Sequence, residues 1–155
     1  MKDANDFRNV PLTNRAGSVA HHLHRDCIVC GCDNDHGMHM QFTSEPDGSV
    51  VAEFLCDTMY QGYPDVLHGG MVAAVLDGAM TNCLFAHDVV AVTAELTIRY
   101  LQPVHTCEMV SIRAWIVKAS PHLQFMTAEL SQGGHVRATA KAKFRRVKGT
   151  SAAIR

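Results

Sequence analysis

An α+β layer architecture, with a curled antiparallel sheet wrapped around one long central helix, is predicted by three patterns in the sequence. A stretch from about Gly70 to Ala86 has helical periodicity and a single charged residue. Four strand-like segments follow it, three of them alternating apolar and polar residues with a period of two. Two further strand-like segments precede it, joined by a turn of proline and glycine. One apolar helix needs one concave face to cover it, and consecutive strands on short links favour antiparallel pairing.

The elements follow in order. Met38 to Ser44 and Ser49 to Leu55 flank Glu45-Pro46-Asp47-Gly48. Proline pre-sets φ and glycine accepts positive φ there, so the pair reads as a hairpin. In the helix, Val72, Val75, Leu76, Ala79, Met80, Cys83 and Leu84 fall on one bulky face. Gly70, Ala73, Ala74, Asp77, Gly78 and Thr81 fall on a face of small residues. A charged, solvent-facing side is missing, so burial nearly all round is expected. In the first strand after the helix, Val92, Ala94, Leu96, Ile98 and Tyr100 alternate with Thr93, Glu95, Thr97 and Arg99. Residues 110–116 and 136–145 alternate as cleanly, and Leu123 to Leu130 less so. Gln132-Gly133-Gly134 reads as a tight turn between the last two strands.

The whole chain sets further bounds. Its 155 residues fit one domain with a sizeable core. A hydrophobic share of 47% and a charged share of 19% suit a packed domain rather than a disordered one. A net charge of −1 offers no field for nucleic acid or an anionic membrane. No apolar run reaches the ~18 residues of a membrane span. The opening residues Met1 to Asp6 lack the apolar stretch of a secretion signal. A cytoplasmic protein with neither nucleic-acid nor membrane partner is expected. Residues 1–37 form a polar, His/Cys-rich extension, with a short helix near Asn14 to Leu23. Residues 38–147 form the domain, and residues 148–155 are expected to be a frayed tail.

Two features carry chemistry. Asp77 sits midway along a helix that otherwise avoids charge. Burial disfavours its ionised form, which suits a base or nucleophile used near neutral pH. The competing reading is a structural aspartate bonded to a hydroxyl such as Thr81. At the helix entrance stands His68-Gly69-Gly70. Helix N-termini present unpaired N–H groups able to stabilise an oxyanion, and glycines let a carbonyl approach the backbone. A tight turn that merely needs glycine would look the same. Gly70 and Asp77 share one small-residue face, however, two turns apart.

The stretch Val66-Leu67-His68-Gly69-Gly70-Met71-Val72-Ala73-Ala74-Val75-Leu76-Asp77 resembles the signature of hotdog-fold thioesterases of the phenylacetate-pathway type. In that family an acidic residue follows the HGG histidine by nine positions on an apolar helix. The segment from Val92 to Val104, with its closing Tyr-x-x-Pro, resembles the family's next strand. The resemblance implies hydrolysis of an acyl-CoA or similar thioester, without a required cofactor. It implies Asp77 as general base or nucleophile and the Gly70 N–H as oxyanion donor. It places His68 beside that donor, Gly69 against the substrate, and Thr93 where it orients water. It also implies a homodimer or homotetramer whose site spans two chains, Gly70 of one facing Asp77 of the other. Many members carry asparagine where this chain has Gly62; the neighbouring Gln61 offers a substitute amide.

Six cysteines divide by setting. Cys56, Cys83 and Cys107 lie in apolar or strand-like segments and read as small buried residues. Cys27 and Cys30 belong to a Cys-x-x-Cys-Gly motif with the spacing of a zinc knuckle. His24, Cys32, His36 and His39 are available as further ligands of a structural zinc. A turn with buried thiols is the other reading. Arg137, Lys141, Lys143 and Arg145 make one face of the last strand basic, a solvated face or a contact for nucleotide phosphates. Two other functions fit the same features: an acyl-thioester hydratase or dehydratase, and a non-catalytic acyl-thioester-binding or interaction module.

Overall fold

The computed structural model describes residues 23–147. The tail, and all but the end of the helix expected near Asn14 to Leu23, lie outside the described residues. The elements are β1 (Thr43–Ser44), β2 (Val50–Leu55), a 3-10 turn (Thr58–Tyr60), α1 (Gly69–Ala86), β3 (Ala91–Tyr100), β4 (Met109–Ala119), β5 (Leu123–Gln132) and β6 (His135–Arg146). The six strands form one sheet in the order β1-β2-β4-β5-β6-β3, and each neighbouring pair is antiparallel. The sheet wraps α1, which is the hotdog fold.

The turns form as their residues dictate. The Gly48 N–H donates to the Glu45 carbonyl at 3.0 Å, with Gly48 at φ 83°. Gly133 and Gly134 both have positive φ, 60° and 80°, which a two-residue hairpin between twisted strands requires. Only the last two residues of the expected first strand join the sheet. Further back, the Met38 and Met40 N–H groups donate to the carbonyls of Ile28 and Val29 at 2.7 and 2.8 Å. The backbone there is committed to the cysteine turn, and His39 at φ 49° breaks the extended run.

Strand β3 pairs with β6, not with β4, its successor in the chain. The link from β3 to β4 packs under the segment entering α1. The Leu67 N–H donates to Val104, Thr106 N–H donates to Asp65, and Val104 and Thr106 are buried. Gln132, buried at the end of β5, locks this link with two bonds of 2.8 Å to the backbone N–H and carbonyl of His105. Buried amides are tolerated where the backbone satisfies them. Strand β5, expected to alternate poorly, alternates at every position, because Gln124 and Gln132 point inward with the apolar residues.

The bulky face of α1 is buried throughout, against inner-face residues such as Val50, Ile112, Met126, Leu130, Ala140 and Phe144. The small-residue face divides. Gly78 and Thr81 are buried, whereas Ala73, Ala74 and Asp77 are half-buried and Gly70 is exposed. By length and composition alone this 18-residue helix could cross a membrane, contrary to the reading of the sequence. Most of it is instead enclosed by the sheet, as the core helix of a folded domain. Cys56 and Cys83 are buried as expected, but Cys107 is exposed. Its φ of 61° places it in a turn rather than in a strand.

Val29, from the cysteine turn, covers Gly78. A Cβ on Gly78 would stand 2.7 Å from Val29 Cγ1, and a valine side chain has little freedom to yield. Gly78→Ala is therefore expected to lower unfolding free energy by about 1–3 kcal/mol, the usual effect of overpacking. Adding Val29→Ala should recover part of that loss, since the two residues share one space. Urea midpoints of the two single variants and the double variant measure both effects.

Candidate active site

Asp77 is the only charged residue of α1. Its Oδ1 accepts a 2.7 Å hydrogen bond from the Thr93 hydroxyl, not from Thr81 one turn away. A β-bulge between Thr93 and Glu95 makes that contact possible. Thr93 is paired with the inward-facing Phe144, and Leu96 with the inward-facing Ala142. With strict alternation, Thr93 would face away from the helix whenever Leu96 faced it; the extra residue, Ala94, lets both face inward. Burial raises the Asp77 pKa above its ordinary value, and the Thr93 bond works in the opposite direction by favouring the carboxylate. The nearby Cys27 raises it further and His24 lowers it.

His68 caps the helix. Its carbonyl accepts from the N–H groups of Met71 and Val72 at 2.8 and 3.1 Å. Its ring Nδ1 accepts the Gly70 N–H at 2.9 Å, so the proposed oxyanion donor is engaged by the adjacent imidazole. That bond needs the neutral ring protonated on Nε2. Gly62 gives the ring its place, because a Cβ there would stand 3.1 Å from His68 Cδ2. An asparagine at this position would crowd the ring as it lies. Gln61 does not point its oxygen at the HGG turn; Oε1 accepts from the Asp65 N–H at 3.3 Å. Tyr100, whose role the sequence did not signal, donates its hydroxyl to the Gly69 carbonyl at 2.9 Å and so ties β3 to the turn. A cleft of about 440 Å³ opens beside His68, Gly69, Tyr63, Leu67 and Tyr100. A second, of about 430 Å³, is lined by Asp47, His87, Arg113 and Trp115, and by none of the expected site residues.

Two candidate half-sites result. One holds Asp77 and Thr93, and the other holds His68, Gly69 and Gly70 with Tyr100. At ~1.5 Å rise per residue, Gly70 and Asp77 stand about 10 Å apart along the helix axis. Hydrogen-bond reach is about 3 Å, so one chain cannot polarise a carbonyl at Gly70 and attack it from Asp77.

On the far side of Asp77 lies the cysteine turn. The ligand atoms of His24, Cys27 and Cys30 all lie within 4.8 Å of one another. Cys32, His36 and His39 are not among them. The Cys32 thiol donates to Asp33, the His39 ring bonds the Gly31 carbonyl at 2.9 Å, and His36 is exposed. On β6, Lys143 pairs with Glu95 at 2.7 Å at the surface, whereas Arg137 is half-buried and donates to Gln102 at 2.5 Å.

The profile of the thioesterase superfamily matches residues 65–139, from the loop before HGG to the middle of β6. A rat protein named acyl-coenzyme A thioesterase THEM4 is 26% identical over 106 residues, 66% of this chain and 46% of that protein. The chain thus spans less than half the length of that relative. A crystallised thioesterase superfamily protein shares the fold at TM-score 0.74 and 23% identity, over 78% of this chain and 60% of the other. A hypothetical thioesterase of Streptococcus pneumoniae, solved with coenzyme A, does so at TM-score 0.67 and 18% identity, over 72% and 88%.

The Thr93 bond favours charged Asp77, so Thr93→Val is expected to raise the Asp77 pKa further. Carbon-13 NMR titration of the aspartate carboxyl carbons reads the direction. A linked effect concerns stability. Folding raises the Asp77 pKa, so protonated Asp77 favours the folded state. That contribution is complete below the unfolded value of about 3.9 and is lost as pH rises through the higher folded value. Asp77→Asn should therefore gain on the wild type in melting temperature as pH climbs through that window. The gain should level off above the folded value.

Proposed function

We propose that the chain hydrolyses an acyl-CoA or related acyl thioester to free acid and thiol, with Asp77 as general base or nucleophile. The observation that carries this reading is the Asp77–Thr93 pair on an otherwise uncharged helix, its carboxyl pushed up by burial. The thioesterase superfamily profile match over residues 65–139 supports the reaction class, and the relative named as an acyl-coenzyme A thioesterase supports the substrate class. Coenzyme A in the Streptococcus pneumoniae structure points the same way.

In this mechanism Thr93 holds one carboxylate oxygen of Asp77 and leaves the other free. As base, that oxygen takes a proton from water while the water oxygen attacks the thioester carbonyl. As nucleophile, it attacks the carbonyl itself, and water later cleaves the resulting anhydride. Either way the carbonyl oxygen gains negative charge, which the Gly70 N–H of a second chain stabilises once His68 yields that hydrogen to the thioester. The leaving thiolate then departs and is protonated.

The separation of the half-sites favours a homodimer. So does β3, a ten-residue strand at the edge of the sheet, with Val92 and Tyr100 exposed by 41% and 55%, and Leu101 just beyond its end by 50%. An open edge of this length is a template for pairing with another chain. A two-fold axis beside it brings two copies of α1 close, each supplying what the other lacks.

Asp77→Asn should lower turnover on acyl-CoA by ~10²–10⁴ if Asp77 is the base, and by more if it is the nucleophile. Free-thiol release measures it. Full thiol release from well-folded Asp77→Asn protein would remove the mechanism. Gly70→Pro deletes the N–H donor within the first turn, and its Cβ, 3.0 Å from His68 Nδ1, displaces the ring that this donor engages, so folding of the variant is checked by circular dichroism. Each variant alone should be weak, while the two co-expressed should regain activity, because a mixed dimer contains one intact composite site. Absence of recovery in a verified mixed dimer would remove the two-chain site. Hydration of an enoyl thioester without thiol release would support the hydratase reading, and binding without turnover the interaction module.

A further inference from the structure

We infer that His24, Cys27 and Cys30 form a metal site suited to zinc, which clasps the cysteine turn onto α1 beside Asp77. This site is independent of the proposed thioester hydrolysis.

The donor set is the first ground. An imidazole nitrogen and two sulfurs suit zinc, a borderline-soft ion, and exclude magnesium or calcium, which take oxygen. The spacing is the second. Tetrahedral zinc with bonds of about 2.3 Å to sulfur and 2.0–2.1 Å to nitrogen holds sulfurs about 3.8 Å apart and a sulfur–nitrogen pair about 3.6 Å apart. His24 Nδ1 and Cys30 Sγ stand 3.8 Å apart, and the widest separation among the three ligand atoms is within 4.8 Å. Closure by about 1 Å completes the ligand triangle.

The turn is also built as a cradle. The Gly31 N–H donates to the Cys27 carbonyl at 2.8 Å, and Cys27 N–H donates to His24 at 3.2 Å. The Val29 N–H points at Cys27 Sγ at 3.4 Å, a backbone donor to sulfur. A Cβ on Gly31 would lie 2.4 Å from both the Arg25 carbonyl oxygen and the Cys27 nitrogen, so no other residue closes the turn this way. The helix supplies the outer support. The Asn82 side-chain amide donates to Cys30 Sγ at 3.4 Å while bonding the Gly78 carbonyl at 2.8 Å. The His24 ring stands edge-on to Phe85, with centroids 4.8 Å apart. Second-shell donors of this kind orient ligands and tune a metal.

Three protein ligands leave one position of the tetrahedron for water or a further nitrogen or oxygen donor. Val29, between the two cysteines, already packs on Gly78, one residue beyond Asp77. An ion joining His24 to both cysteines would fix the turn that covers this part of α1.

The test uses the full chain, purified without an affinity tag, under reductant and without chelator. Wild-type protein should carry about one zinc per chain by elemental analysis. Removal of that ion by a strong chelator should lower the melting temperature, and zinc but not magnesium should restore it. Cobalt should replace zinc stoichiometrically and show thiolate charge-transfer bands with tetrahedral visible bands. X-ray absorption at zinc should find two sulfur neighbours and two nitrogen or oxygen neighbours. Cys27→Ser and Cys30→Ser should each abolish the cobalt spectrum of the wild type, whereas Cys32→Ser should keep it. Folded, reduced wild-type protein that takes up neither zinc nor cobalt overturns the inference without recourse to any variant. Retention of the full wild-type spectrum by Cys27→Ser or Cys30→Ser protein overturns it as well.

Discussion

Burial of α1 constrains the rest of the molecule. The helix has eighteen residues and one charge, so water must be kept from most of its circumference. Its bulky face demands a concave apolar surface, and the sheet answers with alternate residues of β2, β4, β5 and β6. A flat sheet could not wrap a cylinder, so the strands twist and the links between them become part of the packing. The buried Gln132 follows from this, because the link it locks runs beneath the entrance of the helix.

What the sheet leaves uncovered defines the site. The second half of the small-residue face is closed by the cysteine turn, with Val29 seated on Gly78. The first half, from Gly70 to Asp77, stays open or half-open. Asp77 therefore stands at the border between covered and uncovered helix. It is buried enough for its proton to be held more tightly, yet remains half-exposed. Thr93 opposes the burial by favouring charge, so the carboxyl is poised between the two effects. A deeper aspartate would stay neutral, and a fully solvated one would keep the basicity of an ordinary carboxylate.

The helix entrance has its own balance. The unpaired N–H groups of the first turn must bond something, and His68 supplies both its carbonyl and its ring. Gly62 makes room for that ring and Tyr100 secures the next carbonyl. The turn is thus held in shape by side chains, with the Gly70 N–H satisfied by the His68 ring.

Much of this was legible in the sequence because it is local. The period of α1, the alternation of β4 and β6, the Gly133-Gly134 turn and an acid on an uncharged helix each depend on residues close in the chain. The pairing of β3 with β6 was not legible, because strand partners are chosen by contacts distant in sequence and by the link beneath α1. The bulge at Ala94 was hidden for a related reason. Alternation from Val92 to Tyr100 looks unbroken, yet an inserted residue reverses the facing of Thr93 relative to Leu96 and delivers it to Asp77. The cysteine motif named two members of the His24–Cys27–Cys30 cluster, but only the folded turn brought His24 to them rather than Cys32, His36 or His39. Sequence by itself determined which segments must be buried and where charge would be out of place. Tertiary structure decided which residues meet, because side-chain facing and distance depend on register and packing across the whole domain.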